Sequence, residues 1–142
     1  MPIKVKKITL WRKELENRPG TLAEALDPVA KAGTDLQVVM GYCYPGDRTK
    51  AAVELFPVAS KKTTAAAQAA GFSPAGVSAL HVEGDNRAGL GSAIARALAD
   101  AGVNLVFLMA QVIGRKYSAM IGFENEADAA KAIPLIKKAT KK

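Results

Sequence analysis

The sequence predicts an α+β fold made of two βαββα repeats, with antiparallel sheets that each carry their helices on one face. Two observations lead to this fold class. The tetrapeptide NRPG at residues 17–20 returns as NRAG at residues 86–89. Each copy stands between a strand-like run and a run with helical periodicity. We therefore expect two copies of one supersecondary unit, each too small to bury its own sheet face well.

The first half of each copy is a strand, a loop and a helix. In the first copy, KKITLW places Ile8 and Leu10 on one strand face ahead of the loop. In the second copy, apolar residues follow the loop at the spacing of a buried helical stripe, namely Leu90, Ala93, Ile94, Ala97, Leu98 and Ala101. A glycine ends each helix, Gly33 in the first copy and Gly102 in the second.

The second half of each copy is a pair of strands and a helix. Strands are predicted at DLQVVMGYCY and NLVFLMAQVI, with AAVELFPV and YSAMIGF as their partners across short turns. The run NLVFLMAQVI is nearly all apolar, so we expect it to be a central strand. Helices are predicted at KTTAAAQAA and EADAAKAI.

Beyond the second strand, the two copies align with a shorter offset. Identical residues then recur 67 positions later, where Arg48, Ala52 and Phe56 match Arg115, Ala119 and Phe123. This alignment implies that the second copy has lost two residues from the intervening loop.

A fourth strand would complete a split βαβ, ferredoxin-like sheet in each copy. Between Gly71 and Glu83, however, there is room for one strand only, GVSALHVE. We therefore expect the two repeats to share this linking strand, with the first repeat at residues 1–73 and the second at residues 74–142.

Composition argues against several classes of protein. No apolar run reaches the roughly 18–20 residues that cross a bilayer, and MPIKVKK lacks the apolar segment of a signal peptide, so we expect a cytoplasmic protein without membrane contact. Cys43 is the only cysteine, and His81 is the only histidine. No nucleophile can be placed beside a base. The sequence thus predicts no catalytic residue, no metal site and no cofactor.

The net charge of +7 raises the alternative of a nucleic-acid-binding protein. The excess resides in seven lysines at the two ends of the chain, which are Lys4, Lys6, Lys7, Lys137, Lys138, Lys141 and Lys142. Sheets that bind RNA stack bases on aromatic side chains, whereas the predicted strands are mostly aliphatic, with Tyr42, Tyr44 and Tyr117 near strand ends. We read the lysines as solubilising tails, and keep a nucleic-acid-binding or partner-only scaffold protein as the alternative function.

The succession of a strand, NRPG or NRAG, a short amphipathic helix, Ala-Gly and a strand opening with Asp or Asn resembles the ACT domain family. ENRPGTL at residues 16–22 and AGVNL at residues 101–105 are most similar to the serine-sensing regulatory domain of bacterial phosphoglycerate dehydrogenase. Two matches in register extend the resemblance over nearly the whole chain. It implies a tandem, non-enzymatic ACT protein, a regulatory module that holds an amino acid or related small metabolite at the interface between two ACT copies.

Carried over by position, the family's ligand-binding residues fall on the two loops and on the residue opening the next strand. They are Asn17, Arg18, Pro19, Gly20 and Asp35 in the first copy, and Asn86, Arg87, Ala88, Gly89 and Asn104 in the second. Two residues before the loop asparagine, where the serine-sensing domains carry histidine, this chain has Leu15 and Gly84. The resemblance therefore does not extend to serine specificity.

These residue types suit a zwitterion. Glycine lets the backbone approach a ligand, the helix N-terminus favours a carboxylate, and Asp35 can receive an ammonium group. A purely structural reading stays open, in which Pro19-Gly20 forms a type II turn and Asn17 bonds the backbone. The family resemblance together with the exposed sheet edges also predicts a homodimer, and a regulated partner protein is expected.

Overall fold

The computed structural model describes residues 2–141 of the 142-residue chain. Within this range it contains eight strands and four helices. The strands are β1 (Lys4–Ile8), β2 (Trp11–Glu16), β3 (Val38–Tyr44), β4 (Asp47–Phe56), β5 (Ser73–Pro74), β6 (Ser78–Asp85), β7 (Phe107–Ile113) and β8 (Lys116–Phe123). The helices are α1 (Thr21–Lys31), α2 (Lys61–Ala69), α3 (Leu90–Asp100) and α4 (Glu126–Ala139). None of these helices has the length and apolar character needed to cross a bilayer.

The elements form two compact units, each with its own four-stranded antiparallel sheet. The continuous unit comprises Thr9–Ala75, and its strand order is β3-β4-β2-β5. The discontinuous unit comprises residues 2–8 together with residues 76–141, and its strand order is β1-β6-β8-β7. Two helices accompany each sheet, which confirms the predicted α+β class and the two βαββα repeats. The repeat boundary at 73/74 stays a proposal about the duplicated sequence.

In the discontinuous unit, α3 and α4 cover one face of the sheet. The odd-numbered residues of β8 join the helices in one apolar core, with Ile121 and Phe123 fully buried. The helical stripe predicted from the sequence supplies Leu90, Ile94 and Leu98 to this core. Burial of each large aliphatic side chain contributes roughly 1.5–3 kcal/mol, so this stripe holds α3 against the sheet.

The continuous unit repeats this arrangement with α1 and α2. Here the odd-numbered residues of β2 and β4 face the helices, and Trp11, Val53 and Leu55 are buried against them. Val29 of α1 and Ala67 of α2 are fully buried in the same core. The even-numbered residues of these two strands therefore point to the opposite face of the sheet.

The predicted linking strand exists as β6, but the two sheets do not share it. The N-terminal run, predicted as one strand, is two strands: β1 pairs with β6, and β2 pairs with β4. Because β6 has β1 on one side and β8 on the other, it has no edge left for a second sheet. The fourth strand of the continuous unit is instead the short β5, which pairs with the start of β2.

β7 lies at the edge of its sheet, which corrects the prediction of a central strand. It pairs with β8 alone, and every residue from Leu108 to Ile113 is exposed. Val112 is 49% and Ile113 66% exposed. Of the two strands in the β7–β8 hairpin, β8 is the inner one, because it lies between β6 and β7 in the sheet.

The strand register corrects the alignment of the two repeats by one residue. Trp11 lies opposite Leu55 in one unit, and its repeat equivalent Leu80 lies opposite Ile121 in the other. Leu55 therefore corresponds to Ile121, an offset of 66 rather than 67. A register shift at Cys43/Tyr44 accommodates the longer hairpin of the first copy. Successive residues of a strand point to opposite faces, so an alignment that is wrong by one residue matches residues on opposite faces. The match of Ala52 with Ala119 is therefore fortuitous.

Candidate ligand sites

The NRPG loop connects the end of β2 to the start of α1. Gly20 is the N-terminal cap of α1 and has a φ of 91°, a left-handed conformation that glycine adopts at little energetic cost. The backbone N–H of Asn17 donates to the carbonyl of Thr49 over 2.9 Å, and its Nδ2 donates to the carbonyl of Arg48 over 2.7 Å. The loop is thus tied to the β3–β4 hairpin.

The NRAG loop has the same geometry between β6 and α3. Gly89 caps α3 with a φ of 87°, and the backbone N–H of Asn86 donates to the carbonyl of Arg115 over 2.8 Å. In neither loop does a side chain cap the helix. The first N–H groups of an α-helix lack intrahelical acceptors, so both loops present backbone donors with a partial positive charge.

A cavity of about 490 Å³ adjoins the NRPG loop. It is lined by Glu16, Asn17, Arg18, Arg48, Thr49 and Lys50. Three of these residues are cationic and one is acidic. Arg18 forms ion pairs with Glu16 over 3.2 Å and with Glu24 over 3.6 Å. The four charged side chains of the lining are exposed, so the cavity is open to solvent.

A second cavity, of about 470 Å³, adjoins the NRAG loop. It is lined by Pro2, Ile3, Asp85, Arg87, Lys137, Thr140 and Lys141. Arg87 Nη2 donates to the backbone carbonyl of Lys141 over 3.4 Å, which connects the loop to the end of α4. The equivalent loops of the two repeats therefore each border a cavity with an excess of cationic groups.

The structure does not bring Asp35 or Asn104 to these loops within a unit. Both residues are exposed and follow the C-terminal end of a helix whose N-terminal end adjoins the loop. An 11-residue helix is about 16 Å long, so one small ligand cannot touch both ends. Pro19 and Ala88 are exposed within their loops.

Sequence reasoning missed two groups of cationic residues. Arg48 and Lys50 reach the first loop because β2 pairs with β4 in a register that sets Glu16 opposite Lys50. Lys137, in the last turn of α4, and Lys141, just beyond it, reach the second loop, although the sequence indicated a solubilising tail. Pairing the strands of the predicted hairpin could have located Arg48 and Lys50 beside the first loop. No sequence signal places the second group.

A separate polar cluster lies on the sheet face of the continuous unit that is opposite its helices. Tyr42 donates to Glu54 Oε2 over 2.9 Å, and Tyr44 donates to Glu14 Oε2 over 2.7 Å. Arg12 donates to the hydroxyl of Tyr44. Hydrogen bonding to Tyr42, and then to Tyr44, raises the pKa of Arg12 above its usual value, although burial opposes the shift. The rings of Tyr42 and Tyr44 stack with 6.4 Å between their centroids, and Tyr42 is 38% exposed, whereas Tyr117 is buried and cannot stack on bases.

Within residues 2–141, no group of three or more histidine, cysteine, aspartate or glutamate side chains is placed to hold a metal ion. His81 is half-buried, and its Nε2 lies 3.2 Å from Ser118 Oγ. Burial lowers the pKa of His81; the carboxylate of Glu83 opposes this shift and the charge of Lys6 adds to it.

Solved structures share this fold at low sequence identity. Protein BT0572 from Bacteroides thetaiotaomicron matches with a TM-score of 0.72 and 16% identity, over 92% of this chain and 88% of that one. The ligand-free regulatory subunit of aspartate kinase from Thermus thermophilus matches with a TM-score of 0.65 and 15% identity, over 99% of this chain and 98% of that one. A structure of the aspartokinase alpha and beta subunits matches with a TM-score of 0.63 and 18% identity, over 98% and 97%.

No protein-family model matches the sequence, and no curated protein matches it. The likeness to solved structures is therefore a statement about fold. Over nearly its whole length, the chain has the tandem ACT-type architecture found in the regulatory subunit of aspartate kinase.

Proposed function

We propose that this chain is a non-enzymatic, cytoplasmic regulatory module that binds an amino acid or a related small metabolite at its NRPG and NRAG loops. One observation carries the proposal: the two loops are structurally equivalent, each leads into a glycine-capped helix, and each borders a cavity rimmed by cationic side chains. The fold shared with the regulatory subunit of an amino-acid kinase supports it.

The lining of each cavity suits the two charges of a free amino acid. Arg18, together with Arg48 and Lys50, favours a carboxylate at the first loop, as Arg87 does at the second. Each lining also includes one acidic residue at equivalent positions of the repeat, Glu16 paired with Arg18 and Asp85 paired with Lys116, and an ammonium group would compete with that cation for the carboxylate. The volumes, near 500 Å³, fall within the range of small-molecule sites.

In this proposal, the loops are shaped by Asn17, Asn86 and the two glycines. Asp35 and Asn104 would contact only a ligand held at the loop of a neighbouring ACT copy, as the family resemblance implies. A helix separates them from the loop of their own unit. We propose that ligand binding alters the association of the chain with a second copy and with a regulated partner protein.

A thermal-shift screen of the standard amino acids tests the proposal. A ligand that binds the folded state alone stabilises it by RT ln(1 + [L]/Kd), so a true ligand gives a shift that rises with concentration. Arg18→Gln and Arg87→Gln should each weaken binding at their own loop about tenfold to a hundredfold, because each removes a charge-assisted hydrogen bond.

Arg96→Gln is the matched control. Arg96 is an exposed residue of α3 that pairs with Asp100 over 3.9 Å, away from either cavity, so this variant should bind as the wild type does. Equal losses in all three variants would contradict a site at the loops. If no amino acid shifts the melting temperature, a partner-only scaffold becomes the better explanation of the fold.

A further inference from the structure

We propose that the cavity at the NRAG loop takes a small metabolite with two negative charges, carried either by a phosphate monoester or by two carboxylates. The inference rests on the proposed function, because Arg87 serves both, and deepens it by assigning a ligand class to the second loop.

The charges around this cavity set the ligand class. Arg87, Lys137 and Lys141 contribute three positive charges, and Asp85 contributes one negative charge. Lys116 Nζ pairs with Asp85 Oδ1 over 2.5 Å, so the carboxylate already has a cationic partner. A ligand with a single carboxylate would offset one of the three positive charges that remain, whereas a dianion would offset two of them.

The cavity has walls of backbone as well as charged side chains. The segment Pro2–Ile3 passes so close to Gly84 that a Cβ on this glycine would lie 2.8 Å from Ile3 Cα and from the carbonyl oxygen of Pro2. Only glycine accommodates this approach, because real Cβ atoms do not come within 3.0 Å of a neighbour. Gly84 thus lets the N-terminal segment form one side of the cavity.

The first repeat has no counterpart of these walls. In the discontinuous unit, β1 accompanies β6 as far as Glu83, close to the NRAG loop. In the continuous unit, β5 accompanies β2 only along Trp11 and Arg12, at the far end from the NRPG loop. The first-loop cavity accordingly has no residue from a fourth strand or a second helix in its lining. The dianion site is therefore specific to the second repeat.

Lysines at a helix C-terminus also have a simpler role, since they offset the negative end of the helix dipole. That role accounts for Lys137 and Lys138 in the last turn of α4. It does not account for Arg87, which comes from a loop, or for Lys141, which lies two residues beyond the end of α4. Both residues line the cavity.

Titration with inorganic phosphate and with succinate, at constant ionic strength, tests the inference by calorimetry and by thermal shift. We expect saturable binding of at least one of the two by the wild type. Lys137→Gln with Lys141→Gln should weaken this binding at least tenfold, because two charged donors are lost. Lys62→Gln with Lys138→Gln lowers the net charge equally and should leave it unchanged.

A second pair of variants changes the wall without changing any charge. Gly84→Ala forces the Pro2–Ile3 segment to move and should weaken binding several-fold, whereas Gly76→Ala, in the same unit with nothing within 4 Å of the added Cβ, should not. If Gly84→Ala prevents folding, the lysine variants alone decide.

The relative affinities identify the source of the two charges: tighter binding of phosphate indicates a phosphate monoester, and tighter binding of succinate a dicarboxylate. The inference is overturned if neither probe binds, if both lysine pairs have equal effects, or if a folded Gly84→Ala binds like the wild type. Phosphate or succinate binding without any amino-acid ligand would contradict only the amino-acid ligand of the proposed function, and an amino-acid ligand without either probe would contradict this inference alone.

Discussion

At the scale of single residues, Asn17 connects the NRPG loop to the β3–β4 hairpin. Its side-chain amide donates to the carbonyl of Arg48 over 2.7 Å, and its backbone N–H donates to Thr49. The Nδ2 group is therefore engaged with the protein itself. This contact places Asn17 among the residues that shape the loop.

Asn17→Ala should lower the free energy of unfolding by about 1 kcal/mol, because one hydrogen bond at an exposed site is lost while the backbone bond to Thr49 remains. Urea unfolding of the variant and of the wild type measures the difference. The ligand-free melting temperature should fall with it. Unchanged stability together with weaker amino-acid binding would instead assign Asn17 to direct ligand contact.

His81 makes stability depend on pH. Burial holds the pKa of the folded-state imidazole below its ordinary value near 6.5, so the unfolded chain binds the proton more readily than the folded chain does. The folded state should therefore lose stability as the pH falls through about 6.5.

Melting temperatures of the wild type and His81→Asn, measured between about pH 7.5 and about pH 5.5, test this expectation. His81 is the only histidine, so the variant should show a flatter profile over this range. Equal slopes in the two proteins would contradict a depressed pKa at His81.

The residues that bear on ligand binding were only partly predictable. The loops themselves were found from the repeated tetrapeptide, because a strand, a glycine and a helix start recur at a fixed spacing. Arg18 and Arg87 belong to the loops, whereas the other cationic residues of the linings lie far from the loops in sequence and reach them through β-sheet pairing and the end of α4. A charge count along the chain assigned Lys137 and Lys141 to a tail, because it carries no information on which loop the tail adjoins.

At the scale of elements, β7 is an edge strand with an unusually apolar surface. Leu108 and Val112, on the helix side of its sheet, are 41% and 49% exposed. Exposed apolar edge strands invite pairing with another chain, because their backbone N–H and C=O groups are unpaired on one side. A second copy of this chain is the partner that we propose for this edge.

Val112→Lys should shift the protein toward monomer at concentrations where the wild type is dimeric, because a charge would enter a desolvated strand pair. Light scattering over a concentration series measures the change. Ala95→Lys adds the same charge on an exposed position of α3 and should leave the dimer intact. A wild-type protein that stays monomeric at every concentration would contradict the homodimer.

The apolar run of β7 also shows why its place in the sheet was predicted wrongly. Apolar composition reports that a strand is suited to burial, but not which neighbours bury it. A central strand needs a partner on each side, and here β8 has both while β7 has one. The periodicity of α3, by contrast, has a single interpretation, and its predicted stripe is the one buried in the core.

At the scale of the whole molecule, the chain crosses from one unit to the other and back. β1 belongs with residues 76–141, while β2 begins the continuous unit three residues later. The sequence predicted two repeats correctly, but it gave no sign that the N-terminal run divides at Thr9. An alternating pattern of apolar and polar residues fits one long strand as well as two short ones. Which of the two forms depends on which neighbouring strands have a free edge for pairing.

A pair of core variants tests the independence of the two units. Val5→Ala removes two methyl groups from β1 and should reduce hydrogen-exchange protection in β6 and β8, with β4 unaffected, at a loss of about 1–3 kcal/mol. Val53→Ala, in the other core, should show the reverse pattern. Protection lost equally in both sheets by both variants would mean that the units unfold as one.

The position of β1 also sets an order of events during synthesis. A ribosome makes β1 about 70 residues ahead of its partner β6, an interval of several seconds at 5–20 residues per second. Three of the four strands of the continuous unit, β2, β3 and β4, are made by Phe56 and can pair within that interval, before β6 begins at Ser78. β1 stays unpaired meanwhile, and we expect its lysines at positions 4, 6 and 7 to limit the association of this strand with other chains.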